Sequence, residues 1–229
     1  MGDELLLIYF RYILKKVANF IVLRMNQNLY NSRNPIIMNF PSTLKTQRLE
    51  IRPIRPGDGV CLHSLISENF EFLSKWITWL KKTLSQEECE MLCRKYYADF
   101  ILRHELYFLV LIKDTNTAIG SINISDIDWS IPKGSIGYWG ALNYSGNGYM
   151  TEATGAITSF SFGCLGFKRL TILCGDLNEK SWKIAERLGF TLELRAKGLI
   201  DSVKPEGLCL ARQYVRWDAE GIDPFKDSF

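Results

Sequence analysis

Apolar positions recur along this chain with two different periods. "RLEIRPI", Arg48 to Ile54, alternates apolar and polar, the spacing of a half-buried strand. Pro56 and Asp58 then open a helix to about Asn69. "NFEFLSKWITWL" continues it, with Phe70, Phe72, Leu73, Trp76, Ile77 and Leu80 at helical spacing on one face. Ser85 and Glu88 form a capping box that opens a helix to about His104. "LYFLVLIK", Leu106 to Lys113, is a buried strand; "DTNT" is its turn and "AIGSINIS" the returning strand of a hairpin. "KGSIGYWGAL" is a further strand, followed by a helix from about Tyr149 to Leu165. The strand "RLTILCG" leads into the helix "NEKSWKIAERLG", with Asn178 as its N-cap and Gly189 as its stop. "FTLELRAKG" and "LCLARQYVRW" are two closing strands. The order β-α-α-β-β-β-α-β-α-β-β predicts a mixed α/β sheet in one domain. From Asp218 the chain reads as a polar, frayed tail.

The most apolar segment stands apart from that pattern. "LLLIYFRYILKKVANFIVL", Leu5 to Leu23, carries Arg11, Lys15, Lys16 and Asn19 roughly along one helical face. A spanning helix wants roughly 20 residues with few charges, so this is a poor transmembrane candidate. It lacks the basic start and small-residue cleavage site of a secretory signal. Three readings stay open. It is an extension from an upstream start codon, with "MNFPSTLKTQRLEIRP" from Met38 as the natural domain start; a basic helix lying on a membrane surface or a partner; or an anchor, whose charges are costly in lipid. The expected organisation is an apolar, basic extension over residues 1–40, a domain over 44–217 and a polar tail over 218–229.

Composition narrows the function. Of 229 residues, 47% are hydrophobic and 23% charged, an ordinary globular balance with enough material for one core. The net charge of +3 is mild, and Lys and Arg form only short pairs, which argues against nucleic acid as a partner. Cys61, Cys89, Cys93, Cys164, Cys174 and Cys209 show no disulfide-type spacing. Cys89 and Cys93 share one helical face, but zinc would want further ligands, and His63 and His104 are the only histidines. The expectation is a cytoplasmic protein with core or surface thiols and no metal.

Candidate chemistry centres on "NYSGNGYMTEATGA", Asn143 to Ala156, where a strand runs through a glycine turn into a helix. A helix N-terminus offers unpaired N–H groups and partial positive charge to an anion. Gly146 and Gly148 permit positive φ and close approach of a phosphate. Alone, such a turn is more often a tight connection with no ligand. It is not a dinucleotide fingerprint, because Thr151 stands where the third glycine belongs, and nothing in it fits a P-loop.

The surrounding blocks add a likeness. "IGYWGALNYSGNGYMTEAT" and "NEKSWKIAERLGFTLE", with the opening "TQRLEIRPIRPGD", resemble in order and spacing the GNAT superfamily of N-acetyltransferases, closest to its RimJ/RimL-type ribosomal-protein branch. The likeness covers residues 44–217. It implies a single-domain GNAT fold: a mixed, mostly antiparallel twisted sheet with a splayed central strand pair and flanking helices. It also implies acetyl-CoA as donor. The pyrophosphate would meet the amides of Ser145, Gly146, Asn147, Gly148, Tyr149 and Met150, with Thr151 following in the helix. The pantetheine arm would pair with Tyr138, Trp139 and Gly140 as an added strand edge. Asn178 would touch the pantetheine side, cap its helix, or do both.

Departures from the family pattern matter as much. Ser145 replaces a usual Gln or Arg, and Asn147 a usual Lys or Arg, so the loop's own cation is missing. Ala185 stands where many relatives carry an acidic tyrosine; the RimJ/RimL-type branch instead implies Ser181 as proton donor to the leaving thiolate. Ser181 is otherwise a first-turn serine that supports the helix. A strand amide near Trp139 would polarise the thioester oxygen. Ser135 occupies the position where relatives often hold a glutamate base, leaving Asp126, Asp128 and Glu68 as substitutes or as plain surface carboxylates. Trp76, Trp79 and Trp129 line an acceptor cleft or pack in the core. The expected reaction is transfer of acetyl to a primary amine, here a protein N-terminal α-amino group. Alternatives are a small amine (a polyamine, an amino acid or an antibiotic) and a catalytically weak CoA-binding module. The expected partner is that acceptor, with no nucleic acid, a membrane only if the extension is native, and a monomeric or homodimeric state.

Overall fold

The computed structural model describes residues 34–201 and 209–222. The expected helix over Leu5 to Leu23 and the end of the polar tail lie outside the described residues. Residues 34–40 belong to a separate unit and hold one 3-10 turn, Pro35–Ile37, capped by the Asn34 side chain, which accepts from the Ile36 N–H at 3.1 Å. The second unit starts at Pro41 and holds the sheet.

Eight strands are described: β1 (Leu44–Lys45), β2 (Leu49–Pro53), β3 (Leu106–Ile112), β4 (Thr117–Asp128), β5 (Lys133–Gly140), β6 (Arg169–Gly175), β7 (Thr191–Lys197) and β8 (Leu210–Arg216). They form one sheet in the order β1-β2-β3-β4-β5-β6-β8-β7. Five helices accompany them: α1 (Gly59–Glu68), α2 (Phe70–Leu73), α3 (Gln86–Leu102), α4 (Tyr149–Gly163) and α5 (Glu179–Arg187).

Side-chain alternation divides the core between the two faces of the sheet. On one face Leu109 and Leu111 pack against Leu62, Leu65 and Ile66 of α1 and Cys89 and Cys93 of α3. Both thiols are fully buried, so the cysteine pair is core, and burial pushes Cys93 up to about 12. On the other face Phe108 meets Phe160 of α4 edge-on, ring centroids 6.2 Å apart.

Every neighbouring pair of strands is antiparallel except β5 and β6. Those two are parallel and pair only at Lys133↔Arg169, Gly134↔Leu170 and Ser135↔Thr171. Past Ser135, β5 remains paired with β4 as far as Gly140, and β6 with β8 as far as Gly175. The sheet therefore splits between two strands that are each held firmly on their other side.

Two readings of the sequence need correction. The helical run expected to continue to Leu80 stops at Leu73. Asn69 is buried and interrupts it: its side-chain amide donates to the Leu65 carbonyl at 2.8 Å, and its side-chain oxygen accepts from the Leu142 N–H at 2.8 Å. The side chain thus competes with helical backbone bonding and ties the end of α1 to the exit of β5. Leu73 and Leu80 are still buried, at 2% exposure each, but by successive turns. Asn178 occupies the N-cap position of α5 without a capping side-chain bond; its backbone carbonyl receives the Ser181 N–H instead. The capping box of Ser85 and Glu88 forms as expected, and Gly189 follows α5 with φ +70°.

Candidate active site

A cavity of about 1260 Å³ opens at the end of β5 that β6 leaves unpaired, walled by the starts of α4 and α5. Of the residues assigned to the donor, Tyr138, Trp139, Gly140, Ser145, Gly146, Gly148, Tyr149, Met150, Thr151 and Asn178 line it. Asn147 does not; its carbonyl is turned to Arg48.

At the mouth, Gly146 and Gly148 adopt φ +87° and +78°, which most side chains would find strained. Gly148 is the N-cap of α4 and has no side chain to cap it. The first helical bond runs from the Glu152 N–H to the Gly148 carbonyl. Among the described residues, the N–H groups from Gly146 to Thr151 find no protein acceptor. Six consecutive donors, backed by a helix dipole, form an anion cradle. Gly140 lets α4 come close, since a Cβ there would stand 3.0 Å from the Met150 Cγ.

Strand alternation settles which amides face the split. Ala141 N–H donates across to Ile119 of β4, and the Trp139 carbonyl points at Gly120 of the same strand. By the two-residue period, Tyr138 and Gly140 turn their backbone groups into the gap. The N–H of Trp139 itself is directed at β4, and the amides free to face the gap are those of Tyr138 and Gly140.

Two cations reach this mouth that reading the loop by itself missed. Arg48, just before β2, donates to the Asn147 carbonyl at 2.9 Å and lies 4.5 Å from the Tyr149 ring centroid. It also binds Glu152 through Nε at 2.7 Å and through its backbone N–H at 2.9 Å, while Thr46 donates to the same carboxylate at 2.5 Å. The acidic residue in the first turn of α4 is thereby neutralised. Lys180 Nζ stands 3.2 Å from Ser145 Oγ across the opening. The signal in sequence was faint, because Arg48 lies 104 residues before Glu152.

Deeper in, Ser181 and Tyr138 form a hydroxyl pair. The Tyr138 phenol donates to the Ser181 carbonyl at 2.8 Å, and Ser181 Oγ donates to the phenol oxygen at 3.3 Å. Burial pushes the phenol well above its usual range, so it stays protonated. Burial also raises the nearby Cys174 thiol to about 11. The 3.3 Å bond is long, so Ser181 can swing its proton to another acceptor at small cost.

The candidate bases lie elsewhere. Asp126, Asp128 and Glu68 do not line the cavity. Asp128 closes its own turn, accepting from the Ser130 hydroxyl and from the N–H groups of Ser130 and Ile131, which holds its carboxyl below the usual range. Asp126 is exposed with φ +51°, and Glu68 is exposed on the last turn of α1. Trp76 lines the cavity and is 39% exposed. Trp129 packs edge-on against Phe167 and donates to the Arg103 carbonyl at 2.9 Å. Among the described residues no cluster of metal-ligating side chains occurs, and no helix is long and apolar enough to cross a membrane.

A split sheet with an amide cradle at its mouth and a hydroxyl pair inside is the architecture of an acyl-group transferase. The chain belongs to the acetyltransferase (GNAT) domain family, whose model matches residues 48–191, and it is an N-acetyltransferase. It is 29% identical over 157 residues to YdaF of Bacillus subtilis, named a ribosomal N-acetyltransferase, covering 66% of this chain and 82% of that protein. It is 25% identical over 150 residues to the ribosomal-protein-serine acetyltransferase of Escherichia coli, covering 65% and 82%. The structure of RimL, a ribosomal α-N-protein acetyltransferase in complex with coenzyme A, superposes with a TM-score of 0.72 at 22% identity, over 77% of this chain and 98% of that one.

Proposed function

We propose that the protein uses acetyl-CoA to acetylate the terminal α-amino group of a protein, with ribosomal proteins as the class of acceptor. The observation that carries the donor is the row of free amides from Gly146 to Thr151 at the mouth of the split. The names of the two curated relatives support the acceptor class.

The donor supplies an activated thioester. The amides of Gly146 to Thr151 hold its pyrophosphate, with Arg48 and Lys180 as flanking cations. The gap-facing backbone of Tyr138 and Gly140 pairs with the pantetheine arm as an extra strand would. An N–H on that edge stabilises negative charge developing on the thioester oxygen. Ser181, oriented by the Tyr138 phenol, gives its proton to the departing thiolate, and the proton shed by the attacking amine returns to it through water. The acceptor needs only a modest base, because an α-amine of pKa near ~7.7–8.0 is already partly neutral at physiological pH.

Thiol release tests this reading. Purified protein with acetyl-CoA and peptides bearing free N-termini should release coenzyme A, and mass spectrometry should place the acetyl group on the α-nitrogen. Acetylation of small amines with no reaction on any peptide would move the protein to the small-amine class. Donor binding without thiol release to any acceptor would make it a CoA-binding module.

A further inference from the structure

Trp139 lines two cavities, the large one at the split and a smaller one of about 160 Å³ under α1 and α3. The large cavity continues past the amide cradle into a part that the chemistry above leaves unused. Gly155 of α4 and Arg187 to Gly189 at the end of α5 wall that part, and Glu220 to Ile222 close it. Gly155 lies about two turns down α4 from Gly148, roughly 10 Å at 1.5 Å per residue. A glycine inside a helix costs about 1 kcal/mol relative to alanine, and here it leaves the α4 wall without a side chain. Arg187 is exposed and carries no ion pair among the described residues, so an anionic group entering there meets a free cation.

One arginine explains why the chain end lies across this compartment. Arg216, the last residue of β8, donates to the Leu188 carbonyl at the end of α5, to the Asp218 carbonyl at 2.8 Å and to the Glu220 carbonyl. Residue 189 has to be glycine for that approach, since a Cβ there would stand 2.8 Å from the guanidinium. The Asp218 carboxylate accepts from the Glu220 N–H at 2.9 Å, and Gly221 turns the chain at φ +73°. Ile222 donates its N–H to the Ala219 carbonyl at 3.1 Å, and its own carbonyl accepts from the Ser159 hydroxyl of α4 at 3.4 Å. The tail read from sequence as frayed is thus bonded as far as Ile222 and bridges the end of α5 to the middle of α4. This strap lies beyond residues 48–191, the stretch that carries the family pattern.

We propose that the strap is a donor-binding element: Gly221 and Ile222 form the floor against which the nucleotide end of the donor packs, and Arg216 holds that floor in place. The inference rests on the acetyl-CoA reading above and extends the donor site to the C-terminal tail. The pyrophosphate sits midway along the donor. The split takes the acetylated arm on one side of it, so the nucleotide on the other side enters the compartment between α4 and α5. The strap therefore makes the protein select a donor that carries the nucleotide over the same arm ending at its phosphate.

The test uses the full chain and two ligands in calorimetry: coenzyme A, and 4′-phosphopantetheine, which lacks the nucleotide. The wild type should bind coenzyme A at least about 10-fold more tightly. Ile222→Asp puts a charge into the floor and should weaken coenzyme A at least about 10-fold, while 4′-phosphopantetheine stays within about 2-fold. A chain ending at Trp217 removes the strap and should show the same split between the two ligands; it stands in for Ile222→Asp if that variant does not fold. Unchanged coenzyme A affinity in either folded variant overturns the proposal. An equal loss of both ligands also overturns it, because the effect then sits at the cradle or the split. Equal binding of the two ligands by the wild type means that the compartment takes no nucleotide, and overturns the proposal while the donor reading stands. Binding of neither ligand removes the donor reading and the strap's role with it.

Discussion

The two sides of Trp139 are built by opposite means. Toward the split, the protein presents backbone: amides at the start of α4, the free edge of β5, and two glycines with φ +87° and +78°. Toward α1 and α3 it presents side chains, from Trp79, Tyr96, Tyr107, Ser121 and Asn123. Backbone recognition is tolerant of most residues but unforgiving at a few positions where a Cβ is excluded. Side-chain recognition is spread over many positions and can be retuned one residue at a time. The side built of backbone therefore suits a ligand that does not vary, and the side built of side chains one that does.

That contrast predicts the largest effect at Gly148. Gly148→Glu places a side chain at φ +78° and a negative charge in the cradle, and acetyl-CoA affinity should fall at least about 100-fold, roughly 2.7 kcal/mol. Gly148→Ala carries the strain without the charge and should lose less. If both variants bind acetyl-CoA like the wild type in calorimetry, the cradle is not where the pyrophosphate sits.

Next comes Ser181. Ser181→Ala removes the proposed proton donor and should lower kcat about 100-fold, the lower range for such a group, with acetyl-CoA affinity within about 2-fold. Tyr138→Phe should lower kcat less, because water can return the proton. Since burial holds the phenol protonated through neutral pH, wild-type kcat/KM should rise with pH through the acceptor amine's own pKa and show no loss from Tyr138 there. Wild-type turnover in Ser181→Ala would take the serine out of the mechanism.

The same contrast explains what could be read in the chain beforehand. The cradle and the split edge are local: Tyr138 to Thr151 span one strand, one turn and one helix start, so a continuous stretch discloses them. Strands with strict alternation, such as Arg169–Gly175, were legible for the same reason. The run from Phe70 to Leu80 was not, because a buried Asn69 diverts the backbone into turns while the apolar spacing stays helical. Arg48 was missed because only the packing of α4 against β2, 99 residues apart in sequence, brings it beside Asn147. The walls of the smaller cavity come from α1, α3, β3, β4 and β5, and no window of sequence holds them together.

Arg48 tests how far the donor side depends on side chains at all. Arg48→Ala leaves the amides in place but takes the cation from the Glu152 carboxylate, at 12% side-chain exposure, which keeps only the Thr46 hydroxyl and the backbone N–H of residue 48. A negative charge without its cation opposes a pyrophosphate, so acetyl-CoA affinity should fall about 10-fold, roughly 1.4 kcal/mol. Glu152→Gln in the Arg48→Ala background should restore most of it. Failure of that rescue would mean that Arg48 acts by touching the donor and not by neutralising the helix start.

Lys180 should show the smallest effect. Its Nζ stands at the mouth with Ser145 Oγ as its hydrogen-bond partner, and its side chain lies over the Phe72 ring at 5.6 Å. An exposed cation in water is worth little against a phosphate, and salt screens it within about 8–10 Å at ordinary ionic strength. Lys180→Ala should therefore weaken acetyl-CoA only about 3-fold at low salt and less at 0.5 M salt, while dephospho-CoA, which lacks the 3′-phosphate, reports whether the lysine faces that group or the pyrophosphate. An equal loss with both donors assigns it to the pyrophosphate, across the opening from Ser145. A loss that persists undiminished at high salt would mean that a side chain carries the donor side after all, and the division drawn at Trp139 would have to move.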